Sequence, residues 1–299
     1  MSAFGSASGN ARRRLPRLAL VTVLATASSG AAHADPTPSE SPAGPPDHRE
    51  SPYRISLALD LPVTLAAATV WLVPGLALAR SIAGPACDVC DPAQLNALDR
   101  LVVGHQEPVA RTLSDWYFLL PAAFAVADVL NVGISHWRSW AADLVVVAEA
   151  LTINGALDEV VRRAVRRPRP FLYTAGLYPD ERALPEATFS FYSGHTSAMF
   201  TLATSLAYTF HLRHPQARSR YVVWTAALAL ASVEGALRVI GGAHFPSDVI
   251  VGAIIGTSIG VLVPELHRRR FVVPGVIEAG ISLAPTTGGA LLGVGGVLW

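Results

Sequence analysis

The sequence predicts an all-α protein: a helical bundle of about six mostly transmembrane helices, with a small C-terminal β-hairpin. Three observations predict it. Of 299 residues, 51% are hydrophobic and only 15% charged, which is the composition of a membrane protein. Six apolar runs, near 57–82, 116–134, 139–161, 197–212, 221–240 and 247–265, approach the roughly 20 residues that cross a bilayer as a helix. After Arg270 the texture turns Gly-rich and β-branched, with Pro285-Thr286-Thr287-Gly288-Gly289 between two apolar stretches, which reads as a hairpin. Two strands cannot close a membrane barrel, so the hairpin is read as packed on the bundle.

Taken in order, residues 1–34 read as an export signal. Arg12-Arg13-Arg14 and Arg17 form a positive start, Leu18 to Ala27 an apolar core, and Ala32-His33-Ala34 a small-residue cleavage site; the alternative is an uncleaved anchor. Residues 35–56 are rich in Pro, Ser and charge and read as a disordered linker. The helical domain is 57–270 and the tail 271–299. Cys87 and Cys90, the two cysteines, lie in a polar segment of an exported chain, which favours a local disulfide over a zinc or redox site. Asp60, Asp128, Asp143, Glu149, Asp158 and Glu234 interrupt the apolar runs, so they face one another or a polar cavity inside the bundle.

The arginines give an orientation. Arg213 to Arg220 and Arg268-Arg269-Arg270 are cytoplasmic by the positive-inside rule. The opposite helix ends, which carry the polar clusters described next, are then on the exported face. Six full crossings from a cleaved signal would instead put residues 162–169 inside. One run is therefore not a simple crossing, and 57–82, with Asp60, Pro62 and Pro74, is read as a re-entrant or surface segment. The alternative is a soluble exported bundle. A net charge of +1 with clustered arginines gives no sign of a nucleic-acid partner.

Three polar clusters stand at the ends of apolar segments: Arg162-Arg163-Ala164-Val165-Arg166-Arg167-Pro168-Arg169-Pro170; Ser190-Phe191-Tyr192-Ser193-Gly194-His195; and Arg238-Val239-Ile240-Gly241-Gly242-Ala243-His244-Phe245-Pro246-Ser247-Asp248. Ser-Gly-His at a helix start combines backbone N–H groups, a hydroxyl and an imidazole, as a bound phosphate and its leaving group require. His244 and Asp248 are four apart, so a carboxylate opening a helix can reach the imidazole and set its tautomer. For Arg163, Arg166 and Arg167 the plainer reading is a solvated basic helix end facing lipid headgroups.

In order and internal spacing the clusters resemble the signature of the type 2 phosphatidic acid phosphatase superfamily, which also holds class A acid phosphatases and vanadium haloperoxidases. The resemblance covers about residues 115 to 268. It departs at Arg162, where the signature has Lys in a chain that contains no lysine, at Tyr192 for Pro, and at Leu237 for Ser. Guanidinium keeps the charge and binds phosphate bidentately. By this resemblance His244 is the nucleophile that forms a phosphohistidine and Asp248 its orienter. His195 is the general acid, and Arg162, Arg169, Arg238, Ser193 and Gly194 bind the phosphoryl oxygens. No cofactor is implied, and the sequence displays no carboxylate cluster to hold a metal. The substrate implied is a lipid phosphate or lipid pyrophosphate, cleaved at a cell membrane with the site on the exported, periplasmic face. The alternatives are a soluble periplasmic or secreted acid phosphatase, a vanadium haloperoxidase, and a non-catalytic anion-binding membrane protein.

Overall fold

The computed structural model describes residues 49–77, 87–117 and 132–269, isolated positions between them, and the backbone of 278–286 and 289–297. The expected signal and most of the expected linker lie outside the described residues. The longer helices are α1 (Leu57–Ala77), α2 (Pro108–Tyr117), α3 (Trp137–Val165), α4 (Gly194–Arg213), α5 (Ser219–Ile240) and α6 (Pro246–His267).

Local chemistry sets the ends that matter. α3 stops because Arg166 turns left-handed at φ 51°, donating its N–H to the Arg162 oxygen at 3.0 Å, just before Pro168 forbids further helix. α6 starts with Pro246 in its first turn, and Asp248 Oδ2 accepts the Phe245 N–H at 2.9 Å. That cap is worth about 1 kcal/mol and sits favourably on the helix dipole.

α4 is the central helix, packed against α3, α5 and α6. Its buried residues run from Thr196 to Arg213, with Met199, Phe200, Ala203 and Ala207 meeting Ala227 and Ala231 of α5. α6 approaches closely because its facing residues are glycines: a Cβ on Gly256 would lie 2.2 Å from the Ser197 oxygen, and one on Gly260 2.1 Å from Thr204 Oγ1. A second core joins Tyr53, Val146, Ala150 and Val263, with the Tyr53 hydroxyl 2.7 Å from Thr209 Oγ1.

α1 is a continuous helix over its described length, and Leu57–Pro74 is long and apolar enough to cross a membrane. Its start lies by the end of α6, since Arg54 N donates to the His267 oxygen at 2.8 Å; farther along, Trp71 lies where a Cβ on Gly155 would fall. α1 and α3 therefore run in the same sense, from the end that holds Arg213 and His267 towards the end that holds Arg162, while α4 and α6 run back.

Three helices, not six, are long and apolar enough to cross a membrane among the described residues: Leu57–Pro74, Ser219–Ile240 and Pro246–His267. The 139–161 run is interrupted by Asp143, Glu149 and Asp158, and α4 is rich in Ser and Thr because protein surrounds it. Outward side chains on the three are apolar, among them Leu59, Leu65, Val222, Ile254 and Leu262, a surface suited to lipid and costly in water. Cys87 and Cys90 are disulfide-bonded, with Cα atoms 5.2 Å apart.

Candidate active site

The three clusters meet at one end of the bundle. His244 is buried, and its Nδ1 lies 2.8 Å from the main-chain oxygen of Ser190. A carbonyl only accepts, so Nδ1 carries the proton and Nε2 keeps its lone pair. Asp248 Oδ2 is 3.9 Å from the same Nδ1, too long for a hydrogen bond. The direct orienter of His244 is therefore the Ser190 carbonyl, where the sequence suggested Asp248. The carboxylate is held elsewhere: Oδ2 accepts from Ser190 Oγ at 2.6 Å and from Phe245 N, and Oδ1 from Arg167 Nη1 at 2.5 Å.

Arg167 is the residue that sequence reasoning undervalued. Instead of facing headgroups it bridges two buried carboxylates, with Nη2 donating to Asp99 Oδ2 at 2.6 Å and its guanidinium 4.3 Å from the Phe245 ring centroid. Asp99 also accepts from Ser247 N at 3.0 Å and Ser247 Oγ at 2.6 Å. Burial opposes the charge on Asp99, but the hydrogen bonds from Arg167 and Ser247 outweigh it and hold the carboxyl below its usual range. Asp99 lies in the short helix Ala97–Arg100, far along the chain from any motif, so no local signal marked it. Arg163, by contrast, shares Glu159 with Arg162.

His195 stands in the first turn of α4. The N-cap Ser193 makes no side-chain cap bond; its hydroxyl pairs with Thr196 Oγ1 at 2.9 Å and its N–H donates to the Asp248 oxygen at 3.1 Å. Gly194 is required by space, since a Cβ there would lie 2.6 Å from Asp158 Oδ2. His195, Gly194, Arg162, Asp115 and Asp158 line a cavity of about 430 Å³ whose apolar wall is Trp71, Leu151 and Ala198. Arg169 and Arg238 line a second cavity, of about 220 Å³, with Arg111 and Glu181. Arg238 Nη1 donates to Ser114 Oγ and Asp115 Oδ1, both at 2.8 Å, and Asp115 Oδ1 is 4.0 Å from His195 Nε2.

Positive charge crowds both histidines. Burial, then Arg238, Arg169 and Arg162, lower the His195 pKa. Burial, then Arg169 and Arg238, hold His244 well below its ordinary value, so its ring is neutral at pH 7. Burial and the neighbouring Arg238 and Arg111 likewise oppose the charge on Arg169. Such crowding of cations is relieved by a bound anion with several acceptor oxygens.

Residues 143–271 match the PAP2 superfamily. A lipid A 1-phosphatase from Porphyromonas gingivalis is 30% identical over 125 residues, 42% of this chain and 24% of that protein. A lipid A 1-phosphatase from Rhizobium etli is 31% identical over 121 residues, 40% of this chain and 48% of that protein. The chain thus spans between a quarter and half of the length of these curated relatives. Among solved structures, a transmembrane PAP2 type phosphatidylglycerolphosphate phosphatase from Bacillus subtilis gives a TM-score of 0.43 at 19% identity, covering 69% of this chain and 94% of the other. Aquifex aeolicus LpxE gives 0.35 at 25% identity, covering 56% and 93%. The segment that matches the PAP2 superfamily model, residues 143–271, contains all three clusters in the order and spacing of the signature.

Proposed function

We propose that this protein is a membrane phosphatase that hydrolyses a lipid phosphate or lipid pyrophosphate through a phosphohistidine intermediate. The observation that carries the reading is the His244 Nδ1 to Ser190 oxygen bond, which leaves Nε2 as a nucleophile in a buried site beside Arg169, Arg238 and His195. Nε2 attacks phosphorus, the bond to the leaving oxygen breaks, and His195 gives that oxygen a proton. His195 then takes a proton from water as the water displaces the phosphoryl group from His244, which restores both rings. The three arginines, Ser193 and the Gly194 N–H bind the phosphoryl oxygens and stabilise the charge that develops on them. A dianionic headgroup offsets the arginines that lower the His195 pKa, so substrate binding itself favours the protonated acid.

The apolar wall of the larger cavity and the apolar outer helix faces suit a substrate whose chain stays in lipid. Lipid A 1-phosphate, the substrate type in the relatives' names, joins phosphatidic acid, phosphatidylglycerol phosphate and undecaprenyl pyrophosphate as a candidate. Arg213 and Arg268 lie at the opposite end of the bundle, and by the positive-inside rule this supports a site on the exported face, with the start of α1 on the cytoplasmic side. In this arrangement α1 is a full crossing. The test is phosphate release by purified, detergent-solubilised protein over those four lipids, with and without EDTA. Release from at least one lipid by wild-type protein but not by His244→Ala supports the reading, and no release from any of them overturns it.

A further inference from the structure

At the end of the bundle opposite the histidines, three helices each bring one metal-ligating side chain to a common point. Asp60 comes from α1, Glu149 from α3 and His267 from α6, and their nearest ligand atoms all lie within 4.8 Å of one another. Asp60 and Glu149 are 5% and 6% exposed. No short-range pattern joins these residues, which is why the sequence displayed no such cluster.

Four features separate this group from an ordinary ion pair. His267 Nε2 is 3.5 Å from Asp60 Oδ1 and 3.5 Å from Glu149 Oε2. A charge-assisted N–H···O bond closes to about 2.7–2.9 Å, so the imidazole donates to neither carboxylate. Two ligands bound to one tetrahedral ion at about 2.0–2.1 Å stand about 3.4 Å apart, close to the 3.5 Å from His267 Nε2 to each carboxylate. His267 Nδ1 lies 2.9 Å from the Val263 oxygen; it donates there, which fixes the tautomer that turns a lone pair on Nε2 towards the carboxylates, as the outer hydrogen bond of a metal-bound histidine does. Asp60 is oriented too, its Oδ2 accepting the Ser56 N–H at 2.7 Å. Glu149 Oε2 is buried and has no hydrogen-bond partner, although an unpaired buried carboxylate oxygen is expensive to hold out of water. A divalent cation among the three atoms supplies the missing partner and cancels two carboxylate charges.

We propose that Asp60, Glu149 and His267 form a binding site for a divalent cation of the zinc class, with water in the fourth position, and that the ion ties α1 to α3 and α6. One nitrogen and two carboxylate ligands are a borderline donor set suited to Zn²⁺ or its spectroscopic substitute Co²⁺. The site is roughly 30 Å along α6 from Pro246, by the rise of a helix. Its role is structural, and it does not depend on the phosphatase reading.

The test uses the full chain in detergent, stripped by chelator and titrated with Co²⁺ and Zn²⁺. The expected results are one ion per chain, a visible Co²⁺ absorption of tetrahedral intensity that Zn²⁺ displaces, and a rise in unfolding temperature on adding Zn²⁺. Glu149→Gln keeps shape and loses the ligand charge, so it should weaken binding at least tenfold, by analogy with the loss of groups that merely support ligands. His195→Ala combined with His244→Ala should still take up one ion, which excludes capture by the phosphate site. No uptake by wild-type protein at about 100 μM Zn²⁺, a threshold far weaker than structural zinc binding, overturns the proposal. Equal uptake by Glu149→Gln also overturns it. The wild-type Co²⁺ spectrum decides the question even if a variant fails to fold.

Discussion

The Nδ1 of His244 lies 2.8 Å from the main-chain oxygen of Ser190, and this contact, not the carboxylate four residues on, sets the tautomer of the proposed nucleophile. A main-chain acceptor survives any side-chain change. Ser190→Ala should therefore keep turnover within about tenfold of wild type, since the main-chain acceptor stays and only the charge-assisted hydrogen bond to the Asp248 carboxylate, worth about 1.5–3 kcal/mol, is lost. His244→Ala should abolish turnover, because it deletes the atom that accepts the phosphoryl group. Steady-state phosphate release by the two variants checks the pair, and a near-normal rate in His244→Ala would sink the nucleophile assignment.

Arg167 is expected to matter for stability first. Its removal leaves Asp99 and Asp248 buried without a cation. Breaking a buried pair by deleting one partner costs about 3–5 kcal/mol. Arg167→Ala should thus lower the unfolding temperature measured in detergent, whereas Arg166→Ala, at the left-handed end of α3, should change it far less. Equal unfolding temperatures in wild type and Arg167→Ala would return Arg167 to the lipid-headgroup role.

The charge around His195 sets a pH dependence with a definite sign. Burial and Arg238, Arg169 and Arg162 lower its pKa from about 6.5 in the anion-free site. An acid must be protonated, so activity falls as pH rises through its pKa. The free-enzyme limb appears in kcat/KM and the substrate-bound limb in kcat. A bound phosphate counters the arginines and raises that pKa, so the alkaline limb of kcat should lie at higher pH than that of kcat/KM. Coincident limbs would mean that the anion does not sit beside His195.

Arg162 stands where the superfamily signature has Lys, and the structure ties it to Glu159 on the same helix. If the position supplies charge to a phosphoryl oxygen, Arg162→Lys should retain most activity and Arg162→Ala should lose on the order of a hundredfold, as other oxyanion donors do. Full activity in Arg162→Ala would pass the task to Arg163, which shares Glu159.

What was legible in the sequence was what neighbours in the chain determine. Pro168 marked the end of α3 and Pro246 the start of α6, because proline acts on its own backbone. The spacing of Arg238, His244 and Asp248 was legible because a turn and a helix start bring them together locally. Asp99, Arg167 and Asp115 were not, since each acquires its role from a partner on another element. One arginine among five looks like the others until Asp99 and Asp248 close on it. Helix number failed for a related reason: a run broken by Asp143, Glu149 and Asp158 crosses no lipid by itself, and only its packing against α1 and α4 makes those residues tolerable.

The last prediction separates the two histidines by chemistry. His195 Nε2 lies in the larger cavity, near Asp115 and beside the apolar wall, where a leaving oxygen on a lipid chain would emerge. If it protonates that oxygen, His195→Ala should slow lipid phosphates, whose alkoxides leave poorly, far more than p-nitrophenyl phosphate, whose phenolate leaves unaided. His244→Ala should slow both classes alike, because the nucleophile is needed whatever leaves. Two substrates and two alanine variants suffice, with the rate ratios read as differences in transition-state free energy. An equal loss on both substrates in His195→Ala would remove the acid role from His195 and leave activation of water in the second step as its contribution.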